Sequence, residues 1–144
     1  MKAPDQEDRD RARLRLDADV VVEAGAGTGK TTLLTDRLLF RVLGWDDPQP
    51  ARVEDVVALT FTEKAAGEIK VRLSDRLAEL AAFLAGAPQS DDARERAERA
   101  VAELGKHFGK RPPELLERAR AALEDLDKAQ IGTIHSFCAH ILRL

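Results

Sequence analysis

The sequence predicts an α/β fold: a parallel sheet with a phosphate-binding loop, interrupted by a helical insertion and incomplete as given. Three observations predict it. An apolar β-branched run, Val20-Val21-Val22, leads directly into a glycine-rich stretch. A second short apolar run, Val56-Val57-Ala58-Leu59, is bounded like a buried parallel strand. Between that run and a third candidate strand near Gln130 to Thr133 lie only amphipathic helical patterns.

Residues 1–17 are a charged lead-in expected to carry a short helix, and Asp19 to Glu23 is the first predicted strand. The stretch Ala24-Gly25-Ala26-Gly27-Thr28-Gly29-Lys30-Thr31 then fits the phosphate-binding loop G-x-x-x-x-G-K-[ST], with alanine in place of the first glycine. Its glycines let the backbone turn tightly and aim N–H groups at phosphate oxygens. Lys30 would reach the β- and γ-phosphates of ATP, and the Thr31 hydroxyl would take one position on Mg²⁺. Thr32 completes the nucleotide-contacting run. A helix over 29–43 follows, with Leu33, Leu34, Leu38, Leu39, Val42 and Leu43 at helical spacing, and its N-terminal dipole adds to the anion site.

Residues 44–52 read as a proline-containing loop before the second strand. Ile69, Leu73, Leu77, Leu80 and Leu84 form one stripe of a long helix over 63–84, which Gly86-Ala87-Pro88 breaks. Ala93, Ala97, Val101 and Leu104 mark a second helix. Pro112-Pro113 opens a third, carrying Leu115, Leu116, Ala119, Leu123 and Leu126. The Arg and Glu residues at i,i+4 on the second helix suit a solvated face. A last helix is expected from His135.

The composition bounds the alternatives. A chain of 144 residues with a formal charge of −3 has no global basic footprint, so any nucleic-acid contact has to be local. The single cysteine, Cys138, fits a reducing compartment and is expected to be a buried small apolar residue. The charged start excludes a signal peptide, and no apolar run approaches membrane-spanning length; the expected location is the cytoplasm, without membrane partners. His107 and His140 are expected on helical surfaces, and the three scattered histidines with one cysteine give no metal-ligand pattern.

Two further stretches sit at predicted carboxyl ends of strands, the edge of an open α/β sheet where ligands bind. In Leu59-Thr60-Phe61-Thr62-Glu63-Lys64-Ala65-Ala66-Gly67-Glu68, the threonines and Lys64 suit a phosphate backbone. Phe61 suits either base stacking or the core, and Thr62 either a phosphate contact or the N-cap of the helix 63–84. In Ile131-Gly132-Thr133-Ile134-His135-Ser136-Phe137-Cys138, neighbouring residues on a helix cannot face each other as a nucleophile and base would, and no acidic orienter is placed for a triad.

Taken together, AGAGTGKTT, LTFTEKAAGEIKVRL and IGTIHSFCAHILR resemble, in order and spacing, the first motif, motif Ia and the following DNA-contacting motif of the UvrD/Rep-like superfamily 1 DNA helicases. The wording is closest to the RecB/AddA helicase–nuclease subunits. The resemblance covers nearly the whole chain. It implies a RecA-like domain 1A whose first part is 18–68, a 1B-like helical insertion over 69–128, and a return to domain 1A over 129–144. It implies Lys30 as the catalytic lysine and Gln6 as the adenine-reading glutamine, though its distance from Lys30 is longer than usual in the family. Arg37 matches the arginine near the base or ribose. On the residues alone, Gln6 and Arg37 equally suit ordinary surface positions. Thr60, Phe61, Thr62, Lys64, Thr133 and His135 match the residues that grip DNA.

Phosphoryl transfer to water also needs an acidic group on the metal, a water-orienting carboxylate and cationic stabilisation of the γ-phosphate. No apolar strand ending in Asp-Glu occurs, and the family's arginine fingers fall outside the sequence. The missing groups make this the expected amino-terminal part of a longer protein, inactive alone, and the resemblance implies that the whole is an ATP-dependent 3′-to-5′ DNA helicase of recombinational repair. Its partners would be single-stranded or duplex DNA and a second helicase–nuclease subunit. The alternatives are a P-loop kinase or NTPase acting on a small molecule, and a non-catalytic nucleotide-binding module.

Overall fold

The computed structural model describes residues 5–23, 29–46 and 49–143. Six helices and two strands occur among them. Helix α1 spans Gln6–Leu14 and α2 Lys30–Gly44; strand β1 is Val57–Thr60, preceded by a 3₁₀ turn at Val53–Asp55. Then come α3 (Glu63–Leu84), α4 (Asp91–Phe108) and α5 (Pro112–Glu124), a second 3₁₀ turn, β2 (Gln130–Thr133) and α6 (Ile134–Arg143).

The caps explain the boundaries. The Thr62 hydroxyl accepts the Ala65 amide at the start of α3, and Ser90 accepts Ala93 at the start of α4, each satisfying an orphan donor of the first turn. Prolines occupy the first two positions of α5, where no backbone donor is needed. The apolar stripes then meet in one continuous core. Leu39, Phe40 and Leu43 of α2, Leu73, Leu77 and Leu80 of α3, Leu104 of α4 and Leu115 of α5 are almost wholly buried. Phe40 stacks on Phe108 with centroids 6.3 Å apart. Gly44 ends α2 against that aromatic: a Cβ there would lie 2.7 Å from the Phe108 ring, so only glycine fits without displacing it.

Strands β1 and β2 pair in parallel, with Val57 opposite Gln130 and Thr60 opposite Thr133. All of α3, α4 and α5 separate them in sequence, as a parallel pair requires a long crossover. The sheet differs from expectation at Asp19 to Glu23. Residues 19–23 adopt no regular secondary structure and pair with neither strand, and Val21 is 89% exposed. A strand is defined by its partner, and among the described residues none lies beside this run to take up its backbone groups.

Helix α6 also departs from expectation. It has no buried residue, and Cys138, expected to be buried, is exposed. Ile134, Ile141 and Leu142 share that exposure, because among the described residues α6 packs mainly on the two strands. Among the described residues, no helix is long and apolar enough to cross a membrane.

Ion pairs bind the helices where apolar contacts end. Buried Asp36 of α2 accepts Arg13 of α1 at 3.1 Å and Arg76 of α3 at 2.5 Å. Arg13 also forks onto Glu103 of α4 at 3.0 Å. Its guanidinium caps the Phe40 ring at 5.3 Å. Near the far end of α2, Asp46 receives both Lys110 and Arg118.

Candidate nucleotide and nucleic-acid site

Ala24, Gly25, Ala26, Gly27 and Thr28 lie outside the described residues. The end of the loop is described: Gly29 takes the left-handed conformation (φ 82°), open to glycine at no steric cost, and α2 begins at Lys30. Lys30 is exposed at that N-terminus, so charge, dipole and free backbone donors coincide there. Thr31 is half-buried, and its carbonyl accepts the Thr35 hydroxyl at 2.8 Å. A cleft of about 320 Å³ opens beside this point, walled by α1, residues 20–23, Gly29, Lys30 and Leu33.

Arg9 is the residue of this cleft that sequence reasoning missed. A Cβ on Gly29 would sit 3.6 Å from its Nη1, and Asp5 steadies the guanidinium at 2.6 Å. Its signal was weak, one arginine in a run of charges, three residues after Gln6. Gln6 opens α1, and its amide donates to Asp10 at 2.8 Å on the rim of a neighbouring cleft of about 720 Å³ that also includes Gly29. Arg37 faces a small cleft together with Lys30, but its guanidinium serves the backbone. It donates to the carbonyls of Ala12 at 2.7 Å, Arg15 at 2.9 Å and Ala18 at 3.2 Å, holding the end of α1 and the turn after it. Burial first, and then the nearby Arg41, lower its pKa against the pull of Asp19.

The second group of residues stands at the carboxyl ends of β1 and β2. Parallel pairing sets Thr60 beside Thr133, so the Phe61–Thr62 turn and the first turn of α6 leave the same sheet edge together. Phe61 is 93% exposed, and Lys64 and His135 are exposed as well. The Thr60 hydroxyl donates to the Thr62 carbonyl at 2.8 Å, fixing the loop, and Thr62 caps α3. Thr133 is placed differently from the others: only 7% exposed, its hydroxyl accepts the Ser136 amide at 3.1 Å and caps α6. Glu63 reaches across, its Oε1 lying 3.2 Å from the Thr133 hydroxyl and 3.0 Å from that of Ser136.

Helix α3 joins the two groups. It begins at the β1 loop, and one face lies along α2. Arg72 donates to the Thr32 hydroxyl at 3.1 Å while paired with Glu68 at 2.9 Å. One turn later Arg76 meets Asp36, one turn after Thr32 on α2. Two rungs in register thus connect the helix that starts at Phe61's loop with the helix that starts at Lys30.

Comparison with known proteins identifies the family. The chain is 35% identical over 115 residues to an ATP-dependent helicase/nuclease subunit of Carboxydothermus hydrogenoformans, covering 80% of the chain and 7% of that protein. It is 36% identical over 115 residues to the protein of that name from Moorella thermoacetica (80% and 6%) and 30% over 116 residues to that from Bacillus licheniformis (81% and 7%). The chain therefore spans well under a tenth of the length of these relatives. Residues 5–144 match the UvrD/REP helicase N-terminal domain, covering all three motifs, the crossover helices and both strands. With a family match over nearly its whole length, the chain belongs to the UvrD/REP helicase N-terminal domain family.

Proposed function

We propose that this chain is the ATP-binding amino-terminal part of an ATP-dependent DNA helicase or translocase of the AddA type. Its RecA-like domain 1A is formed by 18–68 and 129–144 and its 1B-like insertion by 69–128. The observation that carries the reading is the placement of the two loops. Thr60 to Lys64 and Thr133 to His135 leave one sheet edge side by side, and α3 ties them through Arg72 and Arg76 to the helix that opens at Lys30. A backbone-gripping surface with an exposed aromatic suits single-stranded DNA, because phosphate contacts position the strand and any base stacks on a ring.

In this reading Gly29, Lys30 and Thr31 receive the β- and γ-phosphates of ATP, with Ala24 to Thr28 supplying the loop and Thr32 its first helical turn. The exposed lysine and the open N-terminus of α2 fit that anion. Mg²⁺, held through the Thr31 hydroxyl, would offset phosphate charge. Lys30 neutralises charge on the terminal phosphate. Gln6 and Arg37 flank the base side, Arg37 chiefly by holding the end of α1 in place.

Hydrolysis also requires a metal-bound acidic group and a water-orienting carboxylate, which the family supplies from an apolar strand ending in Asp-Glu; the sequence offers no such strand, so this piece alone binds ATP without effective turnover. In the intact protein the motor runs 3′-to-5′ along one strand, in recombinational repair and beside a second helicase–nuclease subunit. The test is ATP hydrolysis by the protein as encoded, with and without single-stranded DNA. DNA-dependent turnover supports a DNA motor; turnover indifferent to DNA supports a small-molecule NTPase instead.

A further inference from the structure

Glu63 is an anomaly on a DNA-facing edge. A carboxylate beside a phosphate backbone is repelled, yet it stands between Thr62 and Lys64 at the start of α3. Its contacts supply the reason. Ser136 donates its hydroxyl to Oε1 at 3.0 Å, and the Thr133 hydroxyl lies 3.2 Å from the same oxygen and 2.9 Å from Ser136. Thr133 meanwhile accepts the Ser136 amide, which sets the first turn of α6. One carboxylate oxygen at the start of α3 is thus the shared acceptor for a hydroxyl at the end of β2 and another in the first turn of α6.

The contact bridges residues that backbone pairing cannot hold. The ladder ends at Thr60 and Thr133, and among the described residues it is the Glu63 side chain that ties the start of α3 to the start of α6 beyond it. Thr60 makes a long second contact to the Gly132 carbonyl at 3.5 Å, so Glu63 supplies the stronger link. On α6, with no buried residue to anchor it, such a link has unusual leverage over where His135 points.

We propose that Glu63 is a positioning residue that clasps the start of α3 to the β2–α6 junction, setting the spacing of Phe61 and Lys64 against His135 for a single DNA strand. The inference rests on the reading of this edge as a DNA platform. Because both hydroxyls address Oε1, the clasp needs an acceptor oxygen rather than a negative charge, and an amide oxygen at the same position can serve.

The test uses the protein as encoded and a fluorescent oligo(dT) strand, with affinity for a fluorescent ATP analogue as the check on folding. Glu63→Ala and Ser136→Ala are each expected to weaken oligo(dT) binding by about threefold to tenfold, the scale of one or two hydrogen bonds. The double variant is expected to be no weaker than the poorer single one, as for partners in one contact. Glu63→Gln is expected to bind within about twofold of the parent, and nucleotide affinity to stay constant throughout. Additive losses, or a Glu63→Gln variant as weak as Glu63→Ala, would overturn the clasp. Phe61→Ala separates the two levels. If it weakens oligo(dT) binding while Glu63→Ala does not, only the clasp fails; if it has no effect, the DNA platform fails and the clasp with it. Should Glu63→Ala lose nucleotide binding through misfolding, the comparison of Ser136→Ala with Glu63→Gln decides by the same criteria.

Discussion

Lys30 and Arg37 are both cations on α2, and their surroundings divide their work. Lys30 is exposed at the helix start with the N-terminal donors around it, so removing its charge should strike turnover rather than the fold. In the protein as encoded, Lys30→Ala is expected to lower ATP hydrolysis by about 100-fold or more with an unchanged melting temperature, read by steady-state kinetics and calorimetry. Arg37 predicts the reverse balance. Its guanidinium satisfies three carbonyls at the end of α1 and in the turn after it, so Arg37→Ala should cost about 1–3 kcal/mol of stability. Arg37→Lys should not restore it, because an ammonium cannot reproduce the planar fork. A large fall in ATP affinity with no loss of stability would assign Arg37 to the nucleotide instead.

Among the elements, α3 was legible almost to the residue. Its stripe from Ile69 to Leu80 is buried, Thr62 caps it, and Gly86-Ala87-Pro88 follows its end. Strong periodicity with a cap at one end and breakers at the other leaves little freedom. Residues 19–23 and α6 were read less well for a shared reason. The apolar pattern reports which residues want cover, not whether a neighbour provides it. Hence Val21 and Cys138 are exposed although their types favour the interior. Of the candidate site, the glycine-rich stretch ahead of Lys30 and the run Thr60 to Lys64 stand out from local order in the sequence. The roles of Arg9, Glu63 and Arg72 were not, since each depends on a residue distant in sequence. Thr62→Ala tests the cap: it should destabilise by about 1 kcal/mol in a denaturant titration, with no change in the burial-dependent slope.

At the scale of the whole molecule, one core and the ion pairs centred on Asp36 and Asp46 hold the helices together. Leu77 lies at full burial in the middle of α3, so Leu77→Ala should cost about 2–5 kcal/mol, measurable by chemical denaturation. Asp46 adds a pH dependence. Burial disfavours its charge, but hydrogen bonds from Lys110 and Arg118 outweigh this and hold its carboxyl below the ordinary range near about 3.9. The folded state therefore gains stability from Asp46 that is fully present above the unfolded value and is lost as pH falls through the lower folded one. The melting-temperature gap between parent and Asp46→Asn should be widest at neutral pH and close in acid; a gap that widens on acidification contradicts the assignment.

Both ends meet in the claim that nucleotide and DNA are handled by one connected body, from Lys30 through Arg72 and Arg76 to the loops at Phe61 and His135. Steady-state ATP hydrolysis by the protein as encoded, titrated with single-stranded DNA, tests this most directly. Turnover is expected to rise with DNA and to be abolished by Lys30→Ala, while Phe61→Ala shifts the DNA concentration needed for half-stimulation upward. Turnover that is robust without DNA and unmoved by its addition would contradict the claim.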